Sequence, residues 1–230
     1  MFNIDSIMKA LTTDQGAQKT ALTGAAGLAA GMLMSGGKLG KLAGNVATAG
    51  ALAAVGGLAY TAWQKYQQGQ QSDGTTAPSP VGGRDAFVPP PQATSEQEEL
   101  GKTLVRAMIA AAKADGQIDG EEKQRIFGRL ETMPLSAEEK AFVFDELSSP
   151  LDVNAVVARA DTPEHAAEIY AASLVAMRPD TPSERSYLEA LAFKLKLAPG
   201  LVAEIHREAG VELPVAPANA NSYMPTGSNV

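Results

Sequence analysis

The chain has 230 residues, with 19 Lys/Arg against 26 Asp/Glu for a net charge of −7, and no cysteine. Without thiols there are no disulfides, no thiolate catalysis and no Cys-ligated zinc. The charge is unevenly spread: residues 1–66 hold five lysines against two aspartates, net +3, while residues 96–211 hold 13 Lys/Arg against 21 Asp/Glu, net −8. So acidic a region repels phosphate backbones, which argues against nucleic acid as a partner, whereas the basic start is drawn to anionic lipid headgroups.

The first 20 residues are polar and amphipathic, with Phe2, Ile4, Ile7, Met8 and Leu11 near one helical face. Apolar sequence starts only at Ala21, so a retained anchor is expected rather than a cleaved signal. Two uncharged runs follow, Ala21–Gly37 and Gly44–Trp63, separated by Lys38 and Lys41. The second spans roughly 30 Å as a helix, about one hydrocarbon core; the first is shorter. A helical hairpin or a single transmembrane segment is expected.

Of the 43 residues from 21 to 63, 13 are Ala and 10 are Gly. Neither gains much on leaving water, and glycine costs about 1 kcal/mol per residue in a water-exposed helix. So many glycines suit helices that pack backbone to backbone. Gly36, Gly40 and Gly44 make consecutive GxxxG steps; Gly27, Gly31 and Ser35 make a second small-residue series, and Gly50 with Ala54 a third. Such faces point to membrane lipid and to homo-oligomers as partners. Tyr60, Trp63 and Tyr66 stand where an aromatic belt would lie. The competing reading is an alanine-rich soluble hairpin, or a helix buried in an assembly. Lys9, Lys19, Lys38 and Lys41 against Lys65 place the N-terminal side inside for one span, whereas a hairpin puts both ends together.

Residues 31–38, G-M-L-M-S-G-G-K, imitate a phosphate loop. The motif needs glycine where Met32 stands and Ser or Thr where Leu39 stands, so nucleotide binding is rejected. Residues 67–95 form a Pro/Gly/Ser linker, with Pro78, Pro80 and Pro89-Pro90-Pro91 favouring extended backbone. The expected organisation is a Gly/Ala-rich membrane-associated anchor at 1–66, this linker at 67–95, a helical domain at 96–211 and a disordered tail at 212–230.

The region 96–211 predicts an all-α bundle with helices near 97–114, 120–131, 137–148, 150–160, 163–177, 182–196 and 199–209. Leu100, Leu104 and Met108 form an i, i+4, i+8 stripe. Capping-box patterns recur at Asp119-Gly120-Glu121-Glu122, Ser136-Ala137-Glu138-Glu139 and Thr181-Pro182-Ser183-Glu184. Pro150, Pro163 and Pro199 suit first helical turns, and Gly210 a stop.

A shift of 62 residues lays Asp119 on Thr181, Glu122 on Glu184 and Ile126 on Leu188. The segments A-K-A-D-G-Q-I-D-G-E-E at 112–122 and R-P-D-T-P-S-E-R at 178–185 resemble the tellurite-resistance TerB-like helical domain. The Gly/Ala-rich start, linker and helical unit together resemble the bacterial inner-membrane YebE-like family of unknown function. That resemblance implies an all-helical, seven-helix unit without enzyme activity on the cytoplasmic side of a bacterial inner membrane, with acidic turns as candidate metal sites.

The candidate ligands are Asp115, Asp119 and Glu122 in the first turn and Asp180 and Glu184 in the second. A hard divalent cation such as calcium wants six to eight oxygens, which two turns brought together would come nearer to supplying than one. This is not an EF-hand, because loop positions 3 and 12 would be Gln117 and Ile126. Helix capping accounts for nearly every one of these residues as well.

The remaining chemistry is sparse. His165 and His206 lie in separate helices and read as surface or helix-end residues. No G-x-S-x-G elbow occurs. Met108, Met133 and Met177 read as core filler. The expected function is a membrane-tethered, non-enzymatic interaction module, cation-responsive through its turns and meeting a protein partner through the acidic bundle, in envelope or metal-stress physiology. The alternative is a metal-dependent enzyme using carboxylates within the bundle. It needs Glu-x-x-His spacing, which Glu204-Ile205-His206 and Glu164-His165 miss.

Overall fold

A computed structural model describes residues 50–72, 83–90, 93–114, 116, 124, 128, 131, 135–177, 179 and 181–211. Among these residues the chain is all-helical. The helices are α1 (Gly50–Ser72), α2 (Thr94–Ala112), α3 (Ala137–Ser148), α4 (Val153–Val157), α5 (Pro163–Ala176), α6 (Pro182–Lys194) and α7 (Pro199–Ala209), with a 3-10 turn at Gly83–Ala86. Of the helix expected at 120–131, Gln124, Gly128 and Glu131 are described, and all three are helical.

Local signals set the helix starts. The Ser136 hydroxyl accepts from the Glu139 backbone amide at 3.2 Å, and the Ser136 amide donates to the Glu139 carboxylate at 2.6 Å. Thr181 and Glu184 repeat this reciprocal box at 3.2 and 2.8 Å. Thr162 accepts from the His165 amide at 3.1 Å in front of Pro163. Each such cap is worth about 1 kcal/mol. Pro150 does not open a helix; α4 begins at Val153, where Asp152 accepts from Asn154 and Ala155 amides. Proline fixes only its own φ, while the Asp152 carboxylate satisfies two orphan donors.

Helix ends follow one geometry twice. At α7 the Val211 amide reaches the His206 carbonyl at 3.0 Å, the Gly210 amide reaches Arg207, and Gly210 takes φ +69°. At α6 the Leu197 and Lys196 amides reach Ala192 and Phe193 in the same pattern, with Lys196 at φ +56°. This is the Schellman motif, which glycine fits without strain and lysine does not.

α5 is the hub: eleven of its fourteen residues are buried. It touches α1, α2, α4, α6 and α7. Its sequence, with Ala166, Ala167, Ile169, Tyr170, Ala171, Ala172 and Leu174 on every side, suits a helix enclosed by others. The predicted α2 stripe faces it, with Leu100, Leu104 and Met108 buried. Leu188, Leu191, Leu195 and Met177 join the same core.

α1 changes the expected organisation. The helix runs through the position where the anchor was expected to end, continuing from Gly50 to Ser72, and packs on α7 and α5. Val55, Leu58, Ala59, Ala62 and Trp63 are buried in the bundle core. Of the expected aromatic belt, Trp63 is buried in the bundle core, and Tyr60 and Tyr66 are half-buried against it. Trp63 meets Phe87 edge-on with ring centroids 5.8 Å apart, and Tyr60 meets it at 5.6 Å. No helix of the described residues is long and apolar enough to cross a membrane. The described part of the Gly44–Trp63 run thus satisfies its apolar surface against protein. The Ala21–Gly37 run and the Gly36, Gly40 and Gly44 series lie outside the described residues.

Candidate functional site

Two glycines set how closely α1 approaches its neighbours. A Cβ at Gly56 would stand 2.3 Å from the Phe87 carbonyl oxygen, 2.9 Å from Val88 Cγ2 and 3.0 Å from Glu168 Oε1. A Cβ at Gly200, on α7, would stand 2.8 Å from the Tyr66 ring. These positions need glycine for space, because the next backbone or ring occupies the volume of a methyl group. Gly57, beside Gly56, meets nothing within 4 Å.

The short segment after the 3-10 turn acts as a strap. Phe87 and Val88 amides both donate to the Arg84 carbonyl at 3.0 Å, which folds the chain back and drives Phe87 into the core at 0% exposure. The Phe87 carbonyl then faces α1 at Gly56, next to the Glu168 carboxyl from α5. Gln97 on α2 donates to the Pro89 carbonyl at 2.7 Å and holds the far end of the strap.

Glu168 is the least expected group in the molecule. Its side chain is 0% exposed. Neither carboxyl oxygen has a hydrogen-bond partner. Burial, and secondarily the charge of Glu164 one turn earlier, pushes its pKa well above the ordinary carboxyl range. Leaving a carboxylate unpaired in such a site costs several kcal/mol, so burial favours the protonated form.

Further along the same helix the polar groups are better matched. The Tyr170 hydroxyl and His206 Nε2 lie 2.9 Å apart, joining α5 to α7 inside the core. His206 is therefore a core residue, not a helix-end surface group, because the tyrosine supplies the hydrogen bond that makes burial tolerable. Burial pushes the Tyr170 phenol above its usual value, with Glu189 adding to it. The Ser173 hydroxyl donates back to the Ile169 carbonyl at 2.9 Å. The Tyr187 phenol is pushed up to about 12 by burial, with Ser173 acting in the opposite direction. Lys65 on α1 donates to Glu208 on α7 at 2.5 Å, at the rim where Lys65 is half exposed.

The α2–α3 contact is built from charge. Lys113 donates to the Glu146 carbonyl and, at 2.6 Å, to the Ser149 carbonyl, closing the C-terminal end of α3. A cation there meets the negative end of the helix dipole as well as its orphan carbonyls. Arg106 pairs with Glu146 and lies 4.9 Å over the Phe142 ring.

Of the candidate metal ligands, Glu184 is described. It is buried and holds the Thr181 amide and hydroxyl at 2.8 and 2.9 Å as the cap of α6. Asp115, Asp119, Glu122 and Asp180 lie outside the described residues. Among the described residues, no group of three or more His, Asp or Glu is placed to hold a metal ion.

Residues 16–209 match the family described as "Protein of unknown function (DUF533)". The chain belongs to that family. A Yersinia enterocolitica protein, described as "Uncharacterized protein in ampR 5'region", is 31% identical over 94 residues, covering 41% of this chain and 68% of that protein. No solved structure matches the chain. The family description is coarser than the TerB-like and YebE-like resemblance, and it names no activity.

Sequence reasoning missed Glu168 and α1 as parts of one interface. A signal was present for Glu168. It sits in Ala166-Ala167-Glu168-Ile169-Tyr170-Ala171-Ala172, and a stretch apolar on every side leaves that carboxyl no route to water. No corresponding signal separates α1 from a membrane span, because alanine and glycine suit both settings.

Proposed function

We propose that this family member is a membrane-associated, non-enzymatic helical interaction module, with its bundle on the cytoplasmic side of a bacterial inner membrane. The observation that carries the reading is the continuity of α1 with the uncharged run. The upstream Gly/Ala segment leads directly into a helix whose Val55, Leu58, Ala62 and Trp63 are buried in the bundle. An anchor at residues 21–49 would therefore hold the bundle through a packed helix, not through a loose linker, and would fix its orientation at the lipid surface. The net +3 of residues 1–66 favours an anionic leaflet. The acidic bundle, held close to that leaflet, would turn its charge towards a protein partner, and the upstream GxxxG series would favour self-association. The TerB-like resemblance of the two acidic turns supports the helical-module part of the reading.

Fractionation tests it. The full chain, expressed in a bacterium, should stay with membranes through high-salt and alkaline carbonate washes, and removal of residues 21–49 should release it. Recovery of the intact chain in the salt-washed soluble fraction would overturn the reading. Because the chain has no cysteine, single introduced cysteines near each end report sidedness by their reaction with a membrane-impermeant thiol reagent.

A further inference from the structure

We propose that Glu168 is a proton-operated latch: while its carboxyl is uncharged, α1 and the Phe87 strap seat on α5, and ionisation unseats them. The proposal is independent of where the protein resides.

The geometry places one acid at a three-way contact. Glu168 rises from the hub helix into the spot where α1 and the strap both approach it. Its Oε1, the Phe87 carbonyl oxygen and Val88 Cγ2 all lie within 3.0 Å of the point where a Cβ of Gly56 would stand. Two oxygens thus press against the same stretch of α1 backbone. A neutral carboxyl there adds no net charge beside the carbonyl dipole. A carboxylate sets negative charge beside the negative end of that dipole, in a place without water.

None of the surrounding elements supplies a described cation to compensate the charge. On its own helix the groups one turn earlier are Glu164, of like sign, and His165, which is half-buried. On α1, Lys65 is nine residues from Gly56 and pairs with Glu208. On the strap, Arg84 and Asp85 are exposed. On α2, Lys102 pairs with Glu99, Arg106 with Glu146, and Lys113 closes α3. On α7, Arg207 pairs with Glu204, and His206 bonds Tyr170. On α6, Glu184 holds its cap, with Arg185 donating to the Pro179 carbonyl, while Glu189 and Lys194 are exposed. α4 carries no charged residue.

The direction of the effect follows from the raised pKa. Below the ordinary carboxyl value both the seated and the unseated states are protonated, and seating is at its strongest. As pH rises past that value the unseated state loses its proton first, and the seated fraction falls until the buried group also ionises. The seated-to-unseated ratio should change about tenfold per pH unit across that window, the limit for one proton.

The chain has one tryptophan, Trp63, which is 4% exposed and packed on Phe87, so emission reports seating directly. In the full chain, emission should shift to the red and quenching by acrylamide should rise as pH goes from 5 to 9. The Glu168→Gln variant, which is neutral throughout, should keep blue-shifted emission across the range. Identical pH profiles for the two proteins, or a pH-independent wild type, would overturn the latch. If Glu168→Gln does not fold, hydrogen exchange of the wild type decides. Corrected for intrinsic rates, protection of α1 amides should fall with pH more steeply than that of α6 amides, and equal slopes reject the proposal.

Discussion

Two contacts in this molecule hold helices in opposite ways. α3 is held by charge that is matched: Lys113 meets its C-terminal carbonyls, Arg106 meets Glu146 and covers Phe142, and Ser136 with Glu139 closes its start. α1 is held by shape, through a glycine that lets backbone meet backbone, an aromatic trio of Tyr60, Trp63 and Phe87, and an acid with no partner. The matched contact has its charged groups paired and its end carbonyls met. The shape-based contact tolerates almost no added atom and carries an unmet polar group. The two can be separated by experiment.

The largest difference should come from the paired glycines of α1. Gly56→Ala forces a methyl group onto the Phe87 carbonyl and should destabilise by about 1–3 kcal/mol, the usual range for overpacking. Gly57→Ala meets nothing and should stabilise by up to about 1 kcal/mol through helix propensity. Urea denaturation of both variants gives the sign. Two variants of equal stability would mean that the close approach at Gly56 is not a constraint.

Breaking the charged contact should cost somewhat less. Lys113→Met keeps the aliphatic stem but removes the donor from the Glu146 and Ser149 carbonyls. Loss of hydrogen bonds from a charged donor at a helix end should lower stability by about 1–2 kcal/mol, with the same result at pH 5 and pH 8. A strong pH dependence of that loss would erase the contrast drawn with Glu168.

The smallest effect is a gain. Lys196 holds φ +56° in the same turn that Gly210 makes at φ +69°. Lys196→Gly should stabilise by about 0.5–1 kcal/mol, readable as a higher melting temperature, because the left-handed conformation strains a side chain that has a Cβ. The same change at a position with negative φ would instead weaken the helix end.

Much of the bundle was legible because its signals are local. Ser136, Thr162 and Thr181 each place an oxygen over the first amides of a helix, and that requires only the neighbouring residues. The stripe of Leu100, Leu104 and Met108 announces one buried face by period alone. The site was less legible because its determinants are distant in sequence: Gly56, Phe87 and Glu168 come from three separate segments. His206 became a core residue only because Tyr170 lies opposite it.

The sequence by itself determined that this chain makes helices, where most of them start and stop, and how its charge divides between a basic start and an acidic bundle. Those properties depend on backbone amides, caps and composition, each readable within a turn or two. Only the tertiary structure decided that the end of the Ala/Gly run is a bundle helix and that one glutamate is shut in beside it. Small side chains permit close packing without naming the surface they pack on, and a carboxyl group keeps or loses its proton according to what surrounds it.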